Sequence, residues 1–275
     1  MSSASPERPP VGALLRHWRD VRGRSQLDLS LDTGVSQRHL SFVESGRSVP
    51  SRQILMDLAR ALDIPLRDRN ALLLAAGYAP LYSDAPWNAQ EMQSVTNALG
   101  RILRQHEPFP AVVMDRYWNV LQTNGATQHF FNGFIDMAQR KAPRNLLHLM
   151  FDPAGMRPFI ANWEQVAKGL FERVYRESVG RVMDDGTKEL MAALLAYPNV
   201  KAEWRAPGVA APTLPVIPIS FVKDGRLLNY FSMVTTVGTP QTIAAQELRV
   251  ECMFPADDAT ELQHLRMLGD GPAGG

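Results

Sequence analysis

Apolar residues recur at the 3.6-residue helical period through the first quarter of the chain. Val11, Leu14, Leu15 and Trp18 fall at i, i+3, i+4 and i+7, which predicts an amphipathic helix ending near Gly23. Ser25 is a good N-cap for a second helix through about residue 32. Thr33-Gly34-Val35 makes a turn in which Gly34 can take a positive φ. Ser36 caps a third helix, 37 to about 45, and Gly46 stops it. Pro50-Ser51 leads into a fourth helix carrying Ile54, Leu55, Leu58, Ala59 and Leu62. Pro65 and the run 68–76 predict a fifth, ended by Gly77 and Pro80. Five short helices between residues 11 and 76 make a compact all-α unit, preceded by a polar, Pro-rich arm (1–10) that reads as disordered.

The pattern then changes. Residues 77–92, with Gly77, Pro80, Ser83, Asp84 and Pro86, read as a linker, and helical periodicity resumes from about 89 to 106. A hairpin is predicted with strands 111–114 and 118–121 around Asp115-Arg116. Residues 124–134 read as helix. Helical spacing continues through Leu146, Leu147 and Met150, and through Trp163, Val166, Ala167, Leu170, Phe171 and Val174. A helix over 187–197 is bounded by Gly186 and Pro198. Segments 214–222 and 226–237 flank Asp224-Gly225 as a β-hairpin, 246–254 reads as another strand, 257–268 as a closing helix and 269–275 as a flexible tail. Strands at both ends of a helical insert predict one small antiparallel sheet with helices, an α+β domain over 93–268.

Composition sharpens this picture in three places. A length of 275 residues with 45% hydrophobic content suits two domains with sizeable cores. The net charge is only +1, yet residues 11–53 hold seven arginines (Arg16, Arg19, Arg22, Arg24, Arg38, Arg47, Arg52) against four carboxylates, a local balance of +3 with no lysine before Lys141. The planar arginine fork suits phosphate and guanine. Cys252 is the single cysteine, which excludes an internal disulfide, and its alternating surroundings predict a small core residue. With no run of 18 apolar residues and no apolar leader at the N-terminus, a soluble cytoplasmic protein without a membrane partner is expected.

The helix–turn–helix layout at 25–47 is that of a DNA reader, whose second helix enters the major groove with its first residues against base edges. Gln37, Arg38 and Phe42 are spaced to share its outward face: Gln pairs with adenine, Arg with guanine, and a ring packs on thymine methyls. Ser25, Gln26, Ser45, Arg47 and Arg52 sit at or just past helix ends, where phosphate is commonly held. Arg19 and Glu44 are expected to pair as an internal brace between the first and third helices. Ser25-Gln26-x-x-Leu29, Gly34-Val35-Ser36, Glu44-x-Gly46-Arg47-x-x-Pro50-Ser51 and Leu58-Ala59-x-Ala61-Leu62 together resemble the phage-repressor-like (xenobiotic-response-element type) helix-turn-helix family over residues 11–76. That resemblance implies base-reading positions for Gln37, Arg38 and Phe42, and a phosphate or base contact for Gln26.

Little in the remainder points to catalysis. None of the six histidines (His17, His39, His106, His129, His148, His264) stands at a metal-binding spacing from another, and His264 in the closing helix is expected to be solvated. There is no Gly-rich phosphate loop, and Gly238-Thr239-Pro240 reads as a turn. Ser220 and Lys223 point to opposite faces of a strand, so a self-cleaving dyad is missing despite the Ala76-Gly77 bond. No cofactor, metal or catalytic residue is expected. Aromatic residues are instead plentiful, and a sheet faced by helices can enclose an apolar pocket. Trp118, Asn124, Phe131, Asn145, Arg157 and Trp163 are the candidates for it, with Arg116, Asn162 and Arg226 as further polar residues beside apolar ones.

Asn145-Leu146-Leu147, Phe151-Asp152-Pro153, Arg157-Pro158, Asn162-Trp163, Pro215-Val216-Ile217-Pro218, Gly238-Thr239-Pro240, the run 247–251 and Phe254-Pro255-Ala256-Asp257 look like the MmyB-like regulator ligand-binding domain over about 93–268. This resemblance implies a PAS-like fold and an apolar effector, plausibly fatty-acyl, but assigns no pocket residues. The expectation is a one-component regulator that binds a double-stranded DNA operator as a homodimer and responds to a small molecule. Two alternatives stay open: an enzyme whose N-terminal domain docks it on DNA, and a constitutive DNA-binding protein whose second domain only dimerises.

Overall fold

The structure, a computed structural model, describes residues 10–140, 144–179, 184–205, 216 and 218–269. The chain divides into two compact units. The first holds the residues up to Pro86 together with Thr239–Gln246; the second holds Trp87–Ser178, Met183–Gly238 and the chain from Glu247 onward.

The first unit contains α1 (Val11–Val21), α2 (Gln26–Thr33), α3 (Gln37–Glu44), α4 (Arg52–Ala61) and α5 (Leu66–Ala75). Local chemistry sets their ends. The hydroxyls of Ser25, Ser36 and Ser51 accept the backbone N–H groups of Asp28, His39 and Ile54. Gly34 and Gly46 reverse the chain with φ of +71° and +73°. Each cap contributes about 1 kcal/mol. Burial contributes more: Leu15, Trp18, Leu29, Leu40, Leu55 and Leu58 are fully enclosed, at roughly 1.5–3 kcal/mol per large apolar side chain. Gly12 lets α1 lie against the end of α3, since a Cβ there would stand 2.3 Å from the Val43 carbonyl oxygen. Residues read as the start of a linker are fastened instead. Asn70, buried on α5, accepts the N–H groups of Leu81 and Tyr82 and donates to the Tyr82 carbonyl, and Arg67 pairs with Asp84. Thr239–Gln246 is tied in by Gln246 Oε1, which accepts Leu66 N–H at 2.7 Å, and by Ile243 N–H, which donates to the Ser83 carbonyl at 3.0 Å.

The second unit carries, in chain order, α6 (Gln93–Gln105), β1 (Ala111–Met114), β2 (Val120–Thr123), α7 (Gly125–Asn132), α8 (Leu146–Phe151), α9 (Trp163–Val179), α10 (Asp185–Leu195), β3 (Ile219–Lys223), β4 (Arg226–Thr236), β5 (Arg249–Pro255) and α12 (Asp258–Gly269). A short α11 (Ile243–Glu247) lies between β4 and β5. The strands form one antiparallel sheet in the order β2-β1-β5-β4-β3. Val112 of β1 faces Glu251 of β5, and Phe231 of β4 faces Phe254. Core side chains of the sheet (Val112, Met114, Phe221, Leu228, Tyr230, Met253) meet those of the helices (Phe130, Phe131, Leu147, Phe151, Phe171, Leu194). This is the expected α+β plan, a small antiparallel sheet with helices packed on it.

Several local expectations are corrected. The second strand begins at Val120, not Trp118, because Asp115 builds a longer turn: its carboxylate accepts the N–H groups of Tyr117 and Asn119, and Trp118 adopts φ +66°. Gln246 belongs to α11 and the last strand starts at Arg249. Gly186 lies inside α10, whose cap is Asp184. Cys252 is half-buried rather than core. His264 is not solvated. It is 1% exposed, its Nε2 facing the Pro108 carbonyl at 2.8 Å and its Nδ1 the Tyr230 hydroxyl at 2.7 Å. The start of the expected strand at 214, most of the N-terminal arm and the end of the tail lie outside the described residues.

Candidate DNA interface and ligand cavity

On α3, Gln37 and Arg38 are exposed and Phe42 is half-buried. The Phe42 ring is flanked by two guanidinium groups, Arg38 at 5.4 Å and Arg47 at 5.9 Å from its centroid. Such cation–π contacts hold long side chains over an aromatic face, so the helix presents a pre-arranged pair of cations. The turn after α3 is pinned by the Phe42 carbonyl, which accepts Arg47 N–H at 2.8 Å and the Ser45 hydroxyl at 3.2 Å. Ser45, Arg47 and Arg52 are exposed.

Beneath this face lies Glu44, whose side chain is fully enclosed. Arg19 donates to it through two nitrogens, Nε to Oε1 at 2.7 Å and Nη2 to Oε2 at 3.1 Å. Gln26 Nε2 adds a bond at 2.9 Å and Arg16 Nε one at 3.4 Å. Burial works to raise the Glu44 carboxyl, but the bonds from Arg19 and Gln26 and the Arg19 charge outweigh it and hold the group below the usual range. The same contacts raise Arg19 above its ordinary value, led by its hydrogen bond to Glu44. Ser25 and Gln26 thus use their side chains within the domain. Ser25 and Asp28 form a reciprocal capping box, so the N-terminus of α2 already holds a carboxylate.

The second unit carries a cavity of about 700 Å³, open to solvent on one side. Val112, Val120, Phe131, Leu146 and Leu149 supply its apolar wall. Gln128, Asn132, Gln139, Arg140, Arg144, Asn145 and His148 supply polar groups. Arg140 is committed to Asp152 at 2.8 Å, and His148 Nδ1 faces the Tyr197 hydroxyl at 2.9 Å. Burial, reinforced by Arg140, pushes the His148 imidazole down despite nearby Asp152, so its neutral form is favoured. Arg144 is exposed at the rim and has no carboxylate partner among the described residues.

Of the residues whose types and neighbours suit a pocket, Phe131 and Asn145 line this cavity. The Asn145 side chain also caps α8, accepting the Leu147 and His148 N–H groups. Asn124 caps α7 and bonds Ala111 and Phe109, a structural role. Arg157 stacks on Trp163 at 3.8 Å, and Trp163 donates to the Met150 carbonyl; neither lines the cavity. Trp118 lines a separate small void. Arg116 is buried between Asp184 and Glu247, Asn162 ties Pro218 to Ser220, and Arg226 bonds Gln263. The lining residues not anticipated include Gln128, Asn132, Gln139, Arg140, Arg144 and His148. Among the described residues no group of side chains is placed to hold a metal, and no helix is long and apolar enough to cross a membrane.

Residues 95–268 match the MmyB-like transcription regulator ligand binding domain, and residues 15–68 match a helix-turn-helix family. Over 52 residues the chain is 40% identical to the uncharacterized HTH-type transcriptional regulator y4dL of Sinorhizobium fredii (strain NBRC 101917 / NGR234). That stretch is 19% of this chain and spans only 26% of the relative. A solved structure of an RNA-binding light-oxygen-voltage receptor aligns with 94% of this chain and 63% of its own, at 10% identity and a TM-score of 0.28, a likeness too low to carry an argument. Neither matched family is a family of enzymes. The chain belongs to the MmyB-like transcription regulators, with a helix-turn-helix region ahead of that family's ligand-binding domain.

Proposed function

We propose that the cavity takes an apolar effector, a fatty-acyl compound, and that its occupancy changes the affinity of the helix-turn-helix for an operator. The observation that carries this reading is the cavity itself. Its volume of about 700 Å³ lies within the range of small-molecule sites, roughly 300–1,000 Å³. Its apolar wall suits an alkyl chain, and Arg144 at the rim supplies the cation for an acidic head group. Gln37, Arg38 and Phe42 read bases, while Ser45, Arg47 and Arg52 hold phosphates. Ser25, exposed at the start of α2, and Gln26, which also braces Glu44, add phosphate contacts. One reading helix covers one half-site, so a homodimer on half-sites ~34 Å apart completes the operator complex.

Calorimetry of the full chain with dodecanoate tests the cavity. Saturable binding that weakens about tenfold in Arg144→Ala, the loss of one charge-assisted contact, is expected. Absence of binding contradicts the effector, and binding indifferent to Arg144 contradicts the head-group assignment.

A further inference from the structure

Between the sheet and the helices of the second unit lies a second void of about 30 Å³. Its wall is apolar except for Trp118 and Glu251. The Trp118 indole Nε1 and Glu251 Oε2 are both sealed from solvent, and neither has a hydrogen-bond partner. Ninety per cent or more of buried polar groups in proteins are paired, so two orphans on one void call for an explanation. Arg173 ties them together without satisfying either. Its guanidinium lies 4.5 Å from the Trp118 ring centroid, and its Nη1 stands 3.6 Å from Glu251 Oε2, beyond hydrogen-bond reach.

Trp118 reaches this position at a conformational cost. Its φ of +66° is an uncommon conformation for a bulky residue. The neighbouring turn enforces it, because the Asp115 carboxylate accepts the N–H groups on both sides. Strain of this kind clusters at binding sites. The void also borders the large cavity: Phe131 and Leu146 line both, and Val112, on the large cavity's wall, is the cross-strand partner of Glu251.

The geometry points to a hydroxyl-reading subsite at the buried end of the effector cavity. A ligand alcohol accepts a hydrogen bond from Trp118 Nε1 and pairs with Glu251 Oε2, while the apolar body of the ligand passes Phe131 and Leu146 into the large cavity. An alcohol is both donor and acceptor, so one oxygen answers both orphans. A methyl group answers neither, and a carboxylate sets its charge against Glu251. Burial pushes the Glu251 carboxyl up, against the Arg173 charge and the pull of the Ser232 hydroxyl and the Arg173 guanidinium on the carboxylate. Protonated, it donates to the alcohol; ionised, it accepts from it. A void of about 30 Å³ is of the size that holds one water or one hydroxyl.

This inference rests on the reading of the large cavity as an effector site, and the test separates the two. Calorimetry on the full chain compares dodecanoate with 12-hydroxydodecanoate. The hydroxylated probe is expected to bind about tenfold tighter, because its competitor leaves buried polar groups unpaired. In Trp118→Phe, which keeps a ring but removes the N–H, that advantage is expected to fall below about threefold. Equal affinity of the two probes for the unaltered protein overturns the subsite, assigns the void to a structural water and leaves the effector cavity standing. An undiminished preference in Trp118→Phe overturns the assignment of the donor. Binding of neither probe overturns the effector reading and the subsite with it.

Discussion

Replacing Glu44 with alanine probes the part of the DNA-binding unit on which its reading face rests. Glu44 is fully enclosed and receives four hydrogen bonds, two from Arg19 and one each from Gln26 and Arg16. Arg19 is itself only 13% exposed. The substitution therefore leaves a nearly buried guanidinium without its main counter-ion and frees the Gln26 amide. Breaking a buried pair by removing one partner costs about 3–5 kcal/mol. Native-state hydrogen exchange of the α1 and α3 amides reads this within the unit concerned, whatever the second unit does. A loss of about 3 kcal/mol accelerates exchange by roughly two orders of magnitude. Removing Arg19 as well should cost less than the sum of the two single changes, with a coupling on the order of 1–3 kcal/mol. Acid provides a second handle. Because the Glu44 carboxyl is held below its ordinary value in the folded state, its contribution is present above the unfolded value of about 4.3 and is lost as pH falls through the depressed one. If Glu44→Ala leaves exchange in α1 and α3 within about threefold of the parent, less than about 1 kcal/mol, the brace does not exist.

Arg38→Ala should relax base preference at one operator position by about 1–3 kcal/mol, whereas Arg47→Ala should weaken all duplexes alike and lower the salt slope by about 1; equal losses on specific and random DNA for Arg38→Ala refute its role. Gly12→Ala should lower the melting temperature of the first unit, since its Cβ meets the Val43 and Glu44 carbonyl oxygens at 2.3 and 2.8 Å, an overpacking of about 1–3 kcal/mol that exceeds any helix-propensity gain; a rise in melting temperature contradicts this. Burial pushes the His264 imidazole down although the Pro108 carbonyl opposes it, so its stabilising neutral form is present above the unfolded value of about 6.5 and is lost as pH falls below it. Melting of the second unit should therefore soften as pH falls below about 6.5, and a pH profile unchanged in His264→Gln counts against that assignment.

Most of the first unit was legible in the chain because its signals are local. A serine before each of α2, α3 and α4, a glycine after α2 and α3, and apolar spacing on one face suffice to fix helices of eight to ten residues. The partnership of Arg19 with Glu44 was legible for a related reason, since both lie on short helices whose phases the spacing sets. Gln26 was not readable in the same way: its engagement with Glu44 depends on how α2 crosses α3. In the second unit the Asp224-Gly225 hairpin announced itself through turn chemistry, with φ of +51° and +72°. The turn at Asp115 did not, because a side chain rather than a glycine shapes it. Alternating polarity around 246–254 masked α11, whose Gln246 is held by Leu66 N–H. His264 read as a solvated helical residue because its partners, Pro108 and Tyr230, lie far away in sequence. The cavity has no motif at all. It is the space left between β1, β2, α7 and residues 137–140 and 144–149; Phe131 and Asn145 could be named from the chain, but only packing adds Arg144, Gln128 and His148 to its lining.

An effector controls DNA binding only through unequal affinity for the DNA-competent and DNA-incompetent states. The coupling is reciprocal: operator must alter effector affinity by the factor with which effector alters operator affinity, typically about 5–150-fold. The direct measurement is operator affinity of the full chain, on a duplex selected from a random pool, across a titration of acyl ligands at fixed salt. A saturable shift of at least about fivefold is expected, mirrored by the shift that operator imposes on dodecanoate binding. Identical operator affinity with and without ligand, across acyl chains that demonstrably bind, contradicts it.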